Sequence, residues 1–145
     1  MKKVQTGQVI EFYSNTCLVK TSFGEFSCVA IKNVVVGDHV ELEIIQDSKK
    51  TLGKILKVID RRSKISKRIG NKDKLFAANV THVGILVTPS PKTSSEFIDK
   101  WIIKSKASKI SPFIINNKTD IESSLKYDKK LEIYSNIGLK VMSIS

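Results

Sequence analysis

The sequence predicts two folds in series, an N-terminal all-β barrel of the five-stranded OB type followed by a partial α/β unit. Three observations carry this expectation. Short apolar runs punctuated by turn residues fill positions 4 to 60, the rhythm of a small closed barrel rather than of helices. Beyond Leu75 the runs become apolar on both faces and alternate with a helical stripe, as in a covered parallel sheet. Between the two, residues 60 to 74 are polar, basic and almost free of large apolar side chains.

Each element has a local reason. In the first run Ile10 and Phe12 lie on one face while Val9, Glu11 and Tyr13 lie on the other, an imperfect alternation that still reads as a strand. Ser14-Asn15 is a turn signal, and Cys17 to Lys20 form the second run. Phe23-Gly24-Glu25 turns the chain into a third, Phe26 to Ile31. Gly37-Asp38 marks a sharp turn in which glycine is free to take positive φ, and a fourth strand follows through Ile45. After the polar turn Asp47-Ser48-Lys49-Lys50, Leu52 to Ile59 makes the fifth. The expected division is a barrel at 1–62, a basic linker at 63–76 and an α/β part at 77–145.

In that last part Val80 to Thr88 reads as a strand stopped by Pro89. Ser94-Ser95-Glu96 caps a helix through about Ala107, with Phe97, Ile98, Trp101 and Ile102 on one stripe. Trp101 is its expected packing anchor. Pro112 opens the next strand, Phe113-Ile114-Ile115, since proline is tolerated at a strand's start and not within it. Strand, helix and strand make a βαβ unit. Leu125 to Asn136 reads as a second helix and Gly138 to Ser145 as a further strand.

The chemistry concentrates where the central strand empties into Asn117-Lys118-Thr119-Asp120. Ligands of open α/β sheets bind beyond the carboxyl ends of such strands. Guanine presents two adjacent donors on its Watson–Crick edge, and one carboxylate such as Asp120 can accept from both. Adenine would leave the same carboxylate facing an acceptor, a mismatch that a buried polar site punishes strongly. Asn117 can bond the base on its other edge, and the Lys118 stem can lie over the ring. The plain alternative is an ordinary polar turn.

Composition bounds the partners. With 41% apolar and 27% charged residues the chain is that of a folded globular protein. No run approaches about 18 apolar residues, and Met1 to Gly7 lacks the apolar core of a signal peptide, so a cytoplasmic location without membrane contact is expected. Cys17 and Cys28 have no metal-ligand spacing and read as reduced, half-buried strand residues; His39 and His82 read as structural side chains rather than ligands or bases. No metal ligand and no catalytic residue is expected among these residues. The net charge is +11, and eleven lysines and arginines against two aspartates lie between Lys49 and Lys74. A polyanion such as RNA is the expected partner, through Lys49, Lys50, Lys54, Arg61, Arg62, Lys64, Lys67 and Arg68.

A barrel, a basic linker, an Asn-Lys-x-Asp loop and a following strand ending in serine together resemble the N-terminal half of the ribosome small-subunit-dependent GTPases, the RsgA family, whose GTPase domain is circularly permuted. The landmarks are Gly7 to Phe12, Gly24-Glu25 with Cys28, Val36-Gly37-Asp38 with Val40, Arg61-Arg62, Lys67-Arg68, Ala78-Asn79-Val80, Asn117 to Asp120, and Gly138 to Ser145. The resemblance implies GTP hydrolysis on binding the 30S subunit during its maturation, with the barrel docked on 16S rRNA, and a monomeric protein. It implies guanine contacts from Asn117, Lys118, Asp120 and Ser145, the last matching the serine that opens the family's next base-contacting loop. Two departures stand out. Ala30-Ile31 replaces the family's Arg-Gly, and no G-x-x-x-x-G-K-[ST] or D-x-x-G occurs. GTP or GDP with Mg2+ is therefore expected in the intact protein, zinc only in a missing C-terminal part, and these 145 residues are expected to be an inactive fragment cut before the phosphate loop. The alternative is a non-enzymatic OB-fold RNA-binding protein.

Overall fold

The computed structural model describes residues 4–47, 50–121 and 124–145, in two compact units, Met1–Val80 and Thr81–Ser145. In the first, β1 (Val4–Tyr13), β2 (Thr16–Thr21), β3 (Gly24–Val29), β4 (His39–Asp47) and β5 (Lys50–Val58) close a barrel in the order β1-β2-β3-β5-β4. Closure comes from β4 pairing antiparallel with β1, and from a short parallel contact of β3 with β5 at Cys28↔Gly53 and Val29↔Lys54. Bulges between Val9 and Glu11 and between Glu41 and Leu42 supply local bending, which a small barrel needs at its corners. Val9, Val19, Val40, Leu42 and Ile55 fill the interior.

Cys17 and Cys28 sit opposite each other across β2 and β3. They are fully buried core residues, against the half-burial expected from sequence, because both point into the barrel. Burial pushes the Cys28 thiol up to about 11, and Cys17 upward as well, so both stay protonated, small apolar side chains. Gly53 lies against Cys28: an added Cβ would drive into its Sγ. Gly53→Ala is expected to destabilise this unit by about 1–3 kcal/mol through overpacking, read as a fall in the thermal unfolding midpoint.

The segment 63–76, expected as a linker, carries strand structure. β6 (Lys64–Ile69) and β7 (Lys72–Ala78) form an antiparallel hairpin. Ile65 and Leu75 are half-buried beneath its charged residues, and Gly70-Asn71, with Gly70 at φ +59°, is a hairpin turn signal. The lysines on its faces hide the alternation. The hairpin belongs with the first unit, since a parallel bridge joins Val36 to Ala77 and the Ala78 N–H donates to the Val36 carbonyl at 3.0 Å.

The second unit is a parallel sheet of order β10-β9-β8, built from β8 (His82–Val87), β9 (Ser111–Asn116) and β10 (Val141–Ser143). Helices α1 (Ser95–Ala107) and α2 (Ser124–Asn136) alternate with the strands, and Ile85, Val87 and Ile114 of the sheet share one core with Ile98 of α1 and Tyr127 and Leu131 of α2. Ser94 caps α1 by accepting from the Phe97 N–H. The buried stripe of α1 is Ile98, Ile102 and Ser105. Phe97 stays exposed and packs edge-on against Trp101, which only flanks the core. Among the described residues no helix is long and apolar enough to cross a membrane.

Candidate functional site

The loops after β8 and β9 meet Ile144 and Ser145, the residues that follow β10, at the carboxyl ends of the three strands. The central one begins at Asn117, whose N–H donates to the Val87 carbonyl at 2.9 Å. Its side-chain Oδ1 accepts from the Lys118 N–H at 2.8 Å, a local bond that turns the chain out of the sheet. Lys118 then takes φ +61° and reaches across to the loop after β8, where its Nζ donates to the Ser90 carbonyl at 2.9 Å. Thr119 ties the loop to the end of the chain, its Oγ1 and N–H both directed at the Ile144 carbonyl. The Ile144 N–H in turn donates to the Asn116 carbonyl at 2.8 Å. Asp120 and Ser145 are exposed. Asn117, Lys118, Asp120 and Ser145, which the sequence singles out, are thus brought to one edge of one sheet.

Such a rim suits a planar heterocycle approached from its edge. Lys118 is held as a strap, Asn117 is turned by its own backbone bond, and the Asp120 carboxylate remains open for a donor pair. Among the described residues no group of three or more His, Cys, Asp or Glu side chains could hold a metal ion.

The basic residues separate into distinct roles. Arg61 does not face solvent as a free cation. Its Nε donates to Asp38 Oδ1 at 2.6 Å and its Nη2 to Asp38 Oδ2 at 2.8 Å and the Asn33 carbonyl at 2.7 Å. Asp38 is wholly buried and also accepts from the Val35 N–H; this hydrogen bonding holds the Arg61 guanidinium above its ordinary value. The pair staples the turn at Gly37, φ +90°, to the strand exit after β5. Lys54, Arg62, Lys64, Lys67 and Arg68 are exposed. Lys67 stands directly opposite Lys74 on the hairpin, a like-charge pair that weakens the ribbon unless an anion lies across it. Lys49 lies outside the described residues, as does the Lys50 side chain.

A cleft of about 590 Å³ beside the barrel is lined by Thr6, Gln8, Lys20, His39, Arg62 and Asn79 among others. Asn79 organises it from φ +55°. Its Nδ2 donates to the Gly37 carbonyl and its Oδ1 accepts from the Arg62 N–H, each at 2.9 Å. Those two bonds fix the amide orientation, so His39 Nδ1, 3.2 Å from Nδ2, is the acceptor and the neutral ring carries its proton on Nε2. Lys20, His39 and Asn79 escape a reading based on charge density, because they lie far apart in sequence and only barrel closure gathers them.

A family model described as RsgA GTPase matches residues 58–145. The chain belongs to the RsgA GTPase family. Among relatives, the small ribosomal subunit biogenesis GTPase RsgA of Paraburkholderia xenovorans is 32% identical over 113 residues, 77% of this chain and 35% of that protein. The RsgA of Actinobacillus pleuropneumoniae serotype 5b is 30% identical over 152 aligned positions, covering 99% of this chain and 44% of its own. A crystal structure of YjeQ from Thermotoga maritima superposes with a TM-score of 0.72 at 24% identity, over 97% of this chain and 51% of that one. It shares the fold. This RsgA-family chain therefore spans less than half the length of those two relatives.

Proposed function

We propose that this chain is the RNA-facing and guanine-reading part of a GTPase that acts in biogenesis of the small ribosomal subunit. One observation carries the reading: the Asn117–Asp120 loop stands at the carboxyl ends of parallel strands, strapped by Lys118 to the loop after β8 and by Thr119 to Ile144. Asp120 accepts from the two donors of guanine's edge, Asn117 bonds its other edge, the Lys118 stem covers the ring, and Ser145 lies alongside. Residues 77–145 then form the leading part of a permuted GTPase domain. The β- and γ-phosphates and Mg2+ are held outside these 145 residues, as is any zinc. Magnesium, once bound there, neutralises charge developing on the phosphates.

The barrel and hairpin face 16S rRNA of the 30S subunit in the cytoplasm, with the protein a monomer. Hydrolysis of GTP by the natural full-length protein should be stimulated by isolated small subunits; equal rates with and without them would reject the ribosomal part of the reading. The electrostatic part has its own test. Neutralising Arg62, Lys64, Lys67 and Arg68 together should reduce the salt dependence of RNA binding by about 3 in the log–log slope and cut affinity by roughly 10²-fold near 0.1 M salt. Arg61→Ala should instead act through folding, since its guanidinium is committed to Asp38.

A further inference from the structure

Two consecutive residues of α2 hold the roots of both loops at the candidate guanine site. Tyr127, nearly buried, donates its O–H to the Thr93 carbonyl at 3.1 Å. Thr93 closes the loop after β8 from its other side: its N–H donates to the Thr88 carbonyl at 2.9 Å and its Oγ1 accepts from the Thr88 N–H at 3.1 Å. Asp128 Oδ1 accepts from Asn116 Nδ2 at 2.7 Å. Asn116 is the last residue of β9 and the residue before Asn117. Lys118 then links the two loops through Ser90. The contacts form a closed circuit from α2 through one loop, across Lys118, and back through the other.

We infer that Asn116, Tyr127 and Asp128 are positioning residues that set the angle at which Asp120 meets the base, and so determine how sharply guanine is discriminated. The inference rests on the guanine reading above. A carboxylate that accepts two parallel N–H bonds must be held within about 0.5 Å of its productive position. Asp120 itself is exposed, so its angle is set by how the loop is rooted, and a helix anchored in the core can fix those roots. Asn116 is also a poor choice for packing alone. It is 2% exposed, and its Oδ1 is buried without a hydrogen-bond partner, so an apolar side chain would suit the layer better. Its amide orientation is fixed, since only Nδ2 can face the Asp128 carboxylate. Burial pushes the Tyr127 phenol above its ordinary range, which keeps it a donor.

The readout is the ratio of the dissociation constants for inosine diphosphate and GDP, measured by competition in the natural full-length protein. Hypoxanthine lacks the exocyclic amine, so the ratio isolates the second bond to Asp120. The wild type should prefer GDP by about 10- to 100-fold. Asp128→Ala should lower the ratio at least threefold, and Asp128→Asn, whose Oδ1 can still accept from Asn116, should restore most of it. Tyr127→Phe should lower it about twofold, and provides the same reading should Asp128→Ala fail to fold. Tyr134→Phe is the structural control: it removes the 2.9 Å bond from Tyr134 to Asp99, which ties α2 to α1 away from the loops. It should lower the melting temperature and leave the ratio unchanged. If Asp128→Ala and Tyr127→Phe also leave the ratio unchanged while GDP is still preferred, the inference is overturned and the guanine reading survives. A wild type that binds GDP, inosine diphosphate and ADP equally would remove both.

Discussion

Asp120→Asn should weaken GDP binding by about 100-fold in the natural full-length protein and raise affinity for xanthosine diphosphate by about an order of magnitude. The size follows from the bonds at stake. Two charge-assisted hydrogen bonds contribute roughly 1.5–3 kcal/mol each; the asparagine retains one acceptor for the ring N–H and turns a donor toward the exocyclic amine. Xanthine carries a carbonyl where guanine carries that amine, so the mismatch becomes a match. Competition against a fluorescent guanine nucleotide measures both arms. Unchanged GDP affinity in this variant would mean that Asp120, exposed as it is, does not touch the base.

The second large effect lies in the other unit. Asp38→Ala should destabilise it by about 3 kcal/mol, because a wholly buried carboxylate that organises Arg61, the Val35 N–H and the turn at Gly37 is removed at once. Arg61 is partly exposed, with 24% of its side-chain surface accessible. It can turn to water, which keeps the loss at the lower end of the range for broken buried pairs. For a unit of this size the melting midpoint should fall by about 10–20 °C. Asp38→Asn should fall between, since it keeps an acceptor for Val35 but gives up the charge. A midpoint within about 2 °C of wild type would show that the pair only decorates the turn.

Much of this architecture could be read from residue patterns, for identifiable reasons. Strong local signals set the five barrel strands: Ser14-Asn15, Gly24 and Gly37-Asp38 each mark a turn, and the apolar runs between them are short. The Asn117–Asp120 loop was legible because an apolar strand, β9, runs directly into it. The β6–β7 hairpin was obscured by its lysines, which raise polarity enough to resemble a linker although Ile65 and Leu75 are half-buried. Arg61 looked like a surface cation because charge counting cannot see that Asp38, 23 positions earlier, is buried beneath it. The Tyr127–Thr93 and Asn116–Asp128 bonds were invisible for the same reason: helical periodicity says which face of α2 is buried, and not which polar groups that face meets.

The strand order of the barrel governs when it can form. β1 is bonded on one side to β2, its neighbour in sequence, and on the other to β4, while β3 closes against β5. The β1–β2 and β2–β3 hairpins are local and can assemble within microseconds. The two closing contacts span long stretches of chain and set a slower rate, in the millisecond-to-second range typical of small barrels. During synthesis at about 5–20 residues per second, the first four strands must wait roughly a second for β5 to emerge. For that interval they expose the edges of β3 and β4, and a nascent chain is most open to mispairing there.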